Sequence, residues 1–152
     1  MEPDAETFNA RLEMFRNGLR KAGIKLTHQR LEVFREVAKS IDHPDAETVF
    51  KAVRERVPVI SLDTVYRTLW LLVDLKLIDT LNHPHERIRF DANTAAHHHF
   101  VCDKCSMTRD FISRELDGLK IPDSVKALGT IEKTRVEVIG ICANCEKTNK
   151  KP

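Results

Sequence analysis

Apolar and polar residues in the first half of the chain alternate with the period of α-helices. Apolar residues recur every three or four positions in four stretches, which predicts four helices. The second and fourth helices are expected to begin after Thr27 and Ser61, whose hydroxyls can cap them, and the first to end at Gly23. The third helix is predicted from about Ala46 to before Pro58. The apolar stripes are Phe8, Leu12, Phe15 and Leu19; Leu31, Phe34, Val37 and Ala38; Val49, Phe50 and Val53; and Leu62, Val65, Leu69 and Leu72.

The pattern changes after Leu77 to short extended segments. We predict strands over residues 78–81 and 87–90, separated by a polar turn over 82–86. Helices that end in a small hairpin are typical of a winged helix-turn-helix, in which the hairpin is the wing. The first 91 residues are therefore predicted to be a winged-helix DNA-binding domain.

Residues 92–152 follow a different pattern and are predicted to be a second, α/β domain. Strands are expected over 97–102 and 107–112, a short helix over 124–128, and an extended segment within 131–142, followed by a loose polar tail from residue 146. This half has few large apolar residues for its length. It therefore needs a bound metal and a second copy of itself to be stable. This predicts a dimerisation domain stabilised by bound zinc, and the protein as a whole is expected to be of the α+β class.

Composition and charge narrow the class of protein only slightly. The 152 residues are 41% hydrophobic, and 25 Lys and Arg against 23 Asp and Glu leave a net charge of +2, too small to indicate nucleic-acid binding. Basic residues are nevertheless concentrated in residues 16–35, a weak indication of a phosphate-facing surface. No apolar run approaches the ~20 residues of a membrane span, and no secretory signal is visible. A cytoplasmic protein without membrane association is expected.

The four cysteines form two C-x-x-C pairs. They are Cys102 with Cys105 and Cys142 with Cys145. In a chain without an export signal, disulfides would be poorly maintained, so metal binding or redox exchange is favoured. Because each pair supplies two thiolates and tetrahedral zinc takes four, we predict a structural zinc site and keep redox exchange as the alternative.

Three consecutive histidines precede the first cysteine pair. On a strand, His97 and His99 share one face, whereas His98 and Cys102 share the other. The two imidazoles therefore predict a metal site separate from the thiolates. Two aspartates in apolar surroundings, Asp91 and Asp110, are candidate carboxylate ligands, because a carboxylate in such a place is costly unless a cation neutralises it. The alternative is a solvated strand edge.

The fourth helix presents a polar face opposite its apolar stripe. This face offers hydroxyl and guanidinium groups that can contact phosphates and base edges. Together with the predicted wing and the basic stretch, it favours DNA binding over an ordinary solvated surface. The candidate DNA-binding residues are His28, Arg30, Ser61, Thr64, Tyr66 and Arg67.

The motifs described above are similar to those of the ferric uptake regulator family over nearly the whole chain. The resemblance implies a homodimeric repressor of double-stranded operator DNA, with structural Zn²⁺ at the four cysteines and a regulatory metal between two domains. The ligands implied for that metal are His43, Asp91, His97, His99 and Asp110, and His43 enters by resemblance alone. The matching segments are residues 26–30, 42–44, 61–69, 89–91, 97–105 and 140–145.

Within that family the chain most resembles the peroxide-sensing branch, which has aspartate at both 91 and 110. The resemblance implies Fe²⁺ or Mn²⁺ at the regulatory site and release of repression when iron-dependent chemistry oxidises His97 or His99. Two positions used by an extra metal site in many iron sensors are Ala96 and Thr134 here. A repressor responding to iron, manganese or zinc without peroxide chemistry remains the main alternative. A haem-responsive regulator, suggested by His98, a non-haem iron enzyme and a zinc-stabilised interaction module are less favoured.

Overall fold

The computed structural model describes residues 3–82 and 87–149, and shows two compact units that divide between Thr94 and Ala95. The sequence analysis had placed the division after Asp91, where the predicted hairpin ends. Ala92 is buried in the core of the first unit, which explains why the chain leaves that unit a few residues later.

Four helices and a two-stranded hairpin form the N-terminal unit. The order is α1 (Ala5–Lys21), α2 (His28–Lys39), α3 (Ala46–Arg54), α4 (Leu62–Asp74), β1 (Asp79–Leu81) and β2 (Arg89–Asp91). The two strands are antiparallel, with Thr80 paired to Phe90. This is the predicted winged helix-turn-helix. The turn expected at its tip, over 82–86, lies outside the described residues apart from Asn82.

The predicted helix ends follow from local hydrogen bonds. Thr27 and Ser61 each accept from the backbone N–H three residues on, and cap α2 and α4 as expected. Asp45, which the sequence analysis did not single out, caps α3 in the same way. The chain leaves α1 through Gly23 at φ +68°, while Ile24 N–H donates to Leu19 O, a left-handed turn that glycine adopts without steric cost.

One apolar core holds these helices together. The predicted stripes face it except for Leu62, which lies outside the core, and the rings of Phe15 on α1 and Phe34 on α2 stack with centroids 4.3 Å apart. Gly18 lets α1 approach Leu77, since a β-carbon there would lie 2.6 Å from the leucine side chain. The hairpin is joined to this core through Phe90, which is also buried.

The C-terminal unit is built on a three-stranded sheet. Its elements are β3 (His98–Cys102), β4 (Thr108–Phe111), α5 (Arg114–Asp117), α6 (Asp123–Lys126), β5 (Glu137–Gly140) and α7 (Ala143–Asn149). The strand order is β4-β3-β5, with β4 antiparallel and β5 parallel to the central strand. The prediction of a loose tail from residue 146 was wrong over 146–149. The chain is helical there, while 150–152 are outside the described residues.

Candidate metal centres and nucleic-acid face

The sheet register brings the two cysteine pairs together. Parallel pairing sets Cys102 level with Gly140, so that Cys142 lies just beyond the end of β5 and next to Cys102. The four Sγ atoms lie within 4.8 Å of one another, all four are free thiols, and Cys105 Sγ is 3.7 Å from Cys142 Sγ. Tetrahedral Zn–S bonds of ~2.3 Å would place the sulfurs about 3.8 Å apart. The donor set and its spacing therefore fit a structural zinc ion.

The thiols also differ in acidity in a way that suits a cation. The N–H of Cys142 donates to Cys102 Sγ at 3.3 Å and helps lower the pKa of Cys102 to about 6. Hydrogen bonding with Cys105 and Cys142 instead raises the pKa of Cys145 to about 12. A thiolate is thus stabilised at one position while its crowded neighbour retains its proton. A divalent ion bound to the four sulfurs would lower the pKa of Cys145 and release its proton.

A second set of ligand atoms converges on the other face of β3. His97 Nε2 and His99 Nε2 lie 2.9 Å apart, and Asp110 Oδ1 is 3.3 Å from His99 Nε2 and 3.8 Å from His97 Nε2. Asp110 is directly opposite His99 in the β3–β4 register, which places the two side chains on one face. The pleat argument from the sequence thus correctly separated this group from the thiolates.

The hydrogen bonding of His97 prepares it for a metal. Its Nδ1–H donates to the carbonyl of Ala95 at 2.7 Å, which leaves the lone pair on Nε2, the atom that faces His99 and Asp110. Both imidazoles are almost completely buried. Two buried imidazole nitrogens and one carboxylate oxygen form a donor set suited to a divalent transition metal.

The N-terminal unit brings together the remaining two candidate ligands. His43 Nδ1 is 3.6 Å from Asp91 Oδ1, and the two side chains are each 3% exposed. Asp91 Oδ1 also accepts from the N–H of Asn93 at 2.7 Å. His43 has φ +50°, a left-handed conformation that costs a non-glycine residue on the order of 1–3 kcal/mol and is concentrated at functional sites. A buried carboxylate beside a buried histidine is a donor pair that suits a divalent cation.

His98 faces away from these ligands. It is buried, its Nδ1 accepts from the N–H of Val136 at 3.2 Å, and its Nε2 lies 3.2 Å from Asp117 Oδ1 without a hydrogen-bonding geometry. The ring therefore connects β3 with the start of β5. This placement gives no support to the haem-responsive alternative.

Several candidate DNA-binding residues line one cavity between α2 and α4. Arg30, Thr64 and Arg67 share this cavity of about 280 Å³ with Gln29, which the sequence analysis did not name. Tyr66 is 39% exposed on the same helix, and His28 is exposed at the start of α2. The hydroxyl of Ser61 is occupied as the cap of α4.

The guanidinium groups near this cavity already have partners. Arg30 donates to the carbonyl of Lys25 at 2.5 Å, and Arg67 lies 3.0 Å from the Asp63 carboxylate. Both groups of the Arg67–Asp63 pair are well exposed, so the pair is weak and readily exchanged for a phosphate.

The sequence analysis missed one buried charge network in the same unit. Glu32 and Glu36 on α2 are buried, and Arg56 donates to both, at 2.6 Å and 2.8 Å. The only sign of it in the sequence was the i, i+4 spacing of the two glutamates within a stripe of core residues. The network fixes the chain after α3 against α2.

Among the described residues, no helix is long and apolar enough to cross a membrane.

Comparison with known proteins agrees with this architecture. The chain is 31% identical over 147 residues to the peroxide-responsive repressor PerR of Staphylococcus epidermidis, which covers 97% of this chain and 98% of that protein. Among solved structures it is similar to the ferric uptake regulator Fur of Helicobacter pylori, with a TM-score of 0.72 and 22% identity over 92% of this chain and 94% of that one. It is also similar to the peroxide stress regulator of Campylobacter jejuni, with a TM-score of 0.67 and 25% identity over 88% and 98% of the two chains.

The sequence profile of the ferric uptake regulator family matches residues 21–139. Members of this family are dimeric DNA-binding transcriptional regulators, not enzymes. Fold, motif positions and full-length similarity agree, and the chain belongs to the ferric uptake regulator family.

Proposed function

We propose that this protein is a metal-dependent transcriptional repressor that binds operator DNA as a homodimer and responds to hydrogen peroxide. The observation that carries the proposal is the convergence of His97 Nε2, His99 Nε2 and Asp110 Oδ1. Similarity to the S. epidermidis repressor supports the response to peroxide. The protein would act in the cytoplasm, where operator DNA is present and the four thiols stay reduced.

The regulatory ion is proposed to bind His43, Asp91, His97, His99 and Asp110. Two of these donors are carboxylates, and such a mixed set suits Fe²⁺ or Mn²⁺. An ion bound by all five side chains stabilises the DNA-binding form by its preference for that form. A 100-fold gain in DNA affinity requires only about 2.7 kcal/mol of such preference. The zinc ion at the four cysteines remains bound throughout and maintains the C-terminal fold.

Peroxide would end repression by modifying a ligand. Fe²⁺ held by these residues would supply the redox chemistry that activates peroxide, which Mn²⁺ does not readily supply. In the net reaction a ring C–H of His97 or His99 becomes C–OH and water is the second product. Because the oxidised ring is a poorer donor, the ion is lost and the affinity for DNA falls.

DNA would be contacted by α4 and the N-terminal end of α2. The candidate residues Thr64, Tyr66 and Arg67 lie on or beside the polar face of α4, and Arg30 lies across the cavity from them. His28 and Ser61, at the starts of the two helices, complete the proposed contacts.

The homodimer would form through the C-terminal unit. Its apolar residues are unusually exposed, with Ile112, Leu128 and Ile139 each more than 60% accessible, and β5 forms an edge of the sheet. An exposed apolar surface beside a strand edge is typical of a protein interface. Ile139→Lys should therefore give a monomer in sedimentation experiments. Val59→Lys, at a residue that is 86% exposed in the other unit, is the matched control.

The principal experiment measures DNA binding with Fe²⁺ and with Mn²⁺, before and after peroxide. The probe is a labelled duplex selected from a randomised pool by the Mn²⁺-loaded protein, at a stated salt concentration because phosphate contacts make affinity salt-dependent. Peroxide should weaken binding of the Fe²⁺ form only and add one oxygen atom to the peptide containing His97 and His99. If both metal forms bind DNA and no oxygen is added, the protein is a metal-responsive repressor without peroxide chemistry. If neither metal strengthens binding, the metal-dependent function is wrong.

A further inference from the structure

The chain has one tryptophan, Trp70, which joins the proposed DNA-binding helix α4 to β2, the strand that carries the proposed metal ligand Asp91. Trp70 is on α4, one turn beyond Tyr66 and Arg67, and is 42% exposed. Its ring meets Phe90 edge-to-face, with centroids 6.0 Å apart and planes at 80°. This geometry is favourable for two aromatic rings beyond the apolar area they bury.

Phe90 is in turn fixed between the two N-terminal ligands. It immediately precedes Asp91 on β2, and its N–H donates to the carbonyl of Pro44, the residue after His43, at 3.0 Å. A further bridge joins Asp45 to Arg89. Phe90 is 1% exposed, so its ring has no free space in which to move independently of the backbone.

The His43–Asp91 pair is the place where an ion would act on this packing. His43 Nδ1 and Asp91 Oδ1 are 3.6 Å apart, a separation that two ligands of one ion can adopt, and His43 has a left-handed backbone. An ion held by both side chains fixes their separation and with it the position of β2 beside the Pro44 carbonyl. Phe90 directly precedes Asp91 on β2, so an ion that fixes Asp91 would also fix the Phe90 ring against Trp70.

We propose that Trp70 is a positioning residue that couples metal occupancy at the His43–Asp91 pair to the orientation of the DNA-binding helix α4. The proposal rests on the proposed function, because it assigns a route within the N-terminal unit by which that metal acts on DNA affinity. Trp70 is itself neither a proposed metal ligand nor a proposed DNA-contacting residue. Its effect is exerted through Phe90 on one side and through the helix on the other.

The first test uses Trp70 as its own reporter. In the zinc-loaded wild-type dimer, Mn²⁺ should shift or change the intensity of tryptophan emission at the concentration at which it strengthens DNA binding. Repeating the titration with Zn²⁺, which is diamagnetic, separates a change of environment from paramagnetic quenching. Asp91→Asn should abolish the response. Unchanged emission of the wild type with Mn²⁺ and with Zn²⁺, while Mn²⁺ strengthens DNA binding, would overturn the proposal.

The second test separates coupling from stability. The coupling factor is the dissociation constant for the selected duplex without Mn²⁺ divided by that with Mn²⁺. Trp70→Ala should lower this factor by about tenfold or more, while the affinity of the free protein for Mn²⁺ stays within about threefold. Trp70→Phe, which keeps an aromatic edge against Phe90, should restore the factor. Val59→Ala is the control for removing an exposed apolar side chain of this unit.

The outcomes distinguish this inference from the function on which it rests. If Mn²⁺ fails to strengthen DNA binding by the wild type, the proposed function fails. If the wild type responds and Trp70→Ala responds equally, only the role of Trp70 is wrong. Should Trp70→Ala unfold, Trp70→Leu retains the apolar bulk and gives the same comparison, since it lacks only the aromatic edge.

Discussion

Asp110 lies directly across the antiparallel β3–β4 pair from His99, with its Oδ1 3.3 Å from the imidazole Nε2. The strand register alone fixes this relationship, because cross-strand partners project from the same face. A short distance between a carboxylate and an imidazole in the absence of an ion can be a simple ion pair. His97 Nε2, which is within hydrogen-bonding distance of His99 Nε2 at 2.9 Å, adds a third possible ligand atom at the same point, and three such atoms suit a shared cation.

Replacing Asp110 should therefore remove metal dependence without unfolding the sheet. We expect Asp110→Ala to weaken Mn²⁺ binding by at least tenfold, about 1.4 kcal/mol or more, because one anionic donor is lost. Calorimetric titration of the zinc-loaded protein measures this. Arg109→Ala, on the neighbouring position of the same strand, controls for general disturbance of β4. Equal Mn²⁺ affinity in wild type and Asp110→Ala would remove Asp110 from the proposed ligand set.

Loss of the zinc ion should unfold the C-terminal unit. Its sheet has only three strands, many of its apolar residues are exposed, and a structural zinc site can contribute on the order of 10 kcal/mol to folding. Cys142→Ser should give a protein whose N-terminal helices persist in circular dichroism while the dimer dissociates. A strong chelator at neutral pH should have the same effect on the wild type. A Cys142→Ser protein that stays dimeric without zinc would contradict the structural role.

The sequence predicted best those features that depend on a single local rule, such as helix capping or the alternation of side chains along a strand. Thr27 and Ser61 were correctly expected as helix caps, and strand alternation separated His97 and His99 from Cys102. Contacts between distant segments were not predictable in this way. The approach of His43 to Asp91 depends on how β2 packs beside the α2–α3 connection, and no periodic pattern in the sequence encodes it.

The dependence on contacts between distant segments also explains why the burial of the acidic residues of α2 was not predicted. Glu32 lies within the basic stretch of residues 16–35, but the fold turns it inward toward Arg56, 24 positions away in sequence. Periodicity places polar residues outside by default, and only the position of the chain after α3 shows that these carboxylates have a partner. The short helix α5 and most of α7 were missed because four to seven residues are too few for a periodic signal.

Breaking the Arg56 network should destabilise the N-terminal unit. Arg56→Ala leaves two buried carboxylates without their shared partner, and we expect a loss of about 1–3 kcal/mol, moderated because Arg56 is itself 41% exposed. Urea unfolding followed by the helical signal measures it. Arg54→Ala is the control, since that guanidinium makes a cation–π contact with Phe50 and takes no part in the Glu32–Glu36–Arg56 network. A smaller loss for Arg56→Ala than for Arg54→Ala would contradict the importance of the network.

The same network predicts how stability depends on acid. Burial alone would raise the pKa of Glu32, but hydrogen bonds from Arg56 and Arg35 outweigh it and hold the pKa below its ordinary value of 4.5. A lowered folded-state pKa contributes stability above pH 4.5, and this contribution is lost as the pH falls through the folded value. The stability difference between wild type and Glu32→Gln should therefore be constant near neutral pH and shrink below about pH 4.5. Acid affects zinc binding in both proteins, so only the difference between their unfolding free energies is compared. A stability difference that does not change with pH would contradict the lowered pKa of Glu32.

His98 is expected to act on stability and leave the regulatory metal unaffected. Its buried ring accepts the Val136 N–H and points away from His97 and His99. His98→Ala would leave a cavity and an unsatisfied buried N–H, which together cost about 2–4 kcal/mol. Chemical unfolding should show this loss, whereas the affinity of the folded protein for Mn²⁺ should change by less than about threefold. His99→Ala, one position along the strand, should instead greatly reduce the affinity for Mn²⁺ and have the smaller effect on stability. If His98→Ala also abolished Mn²⁺ binding while remaining folded, His98 would have to be counted among the ligands, and the separation of the two faces of β3 would no longer explain the site.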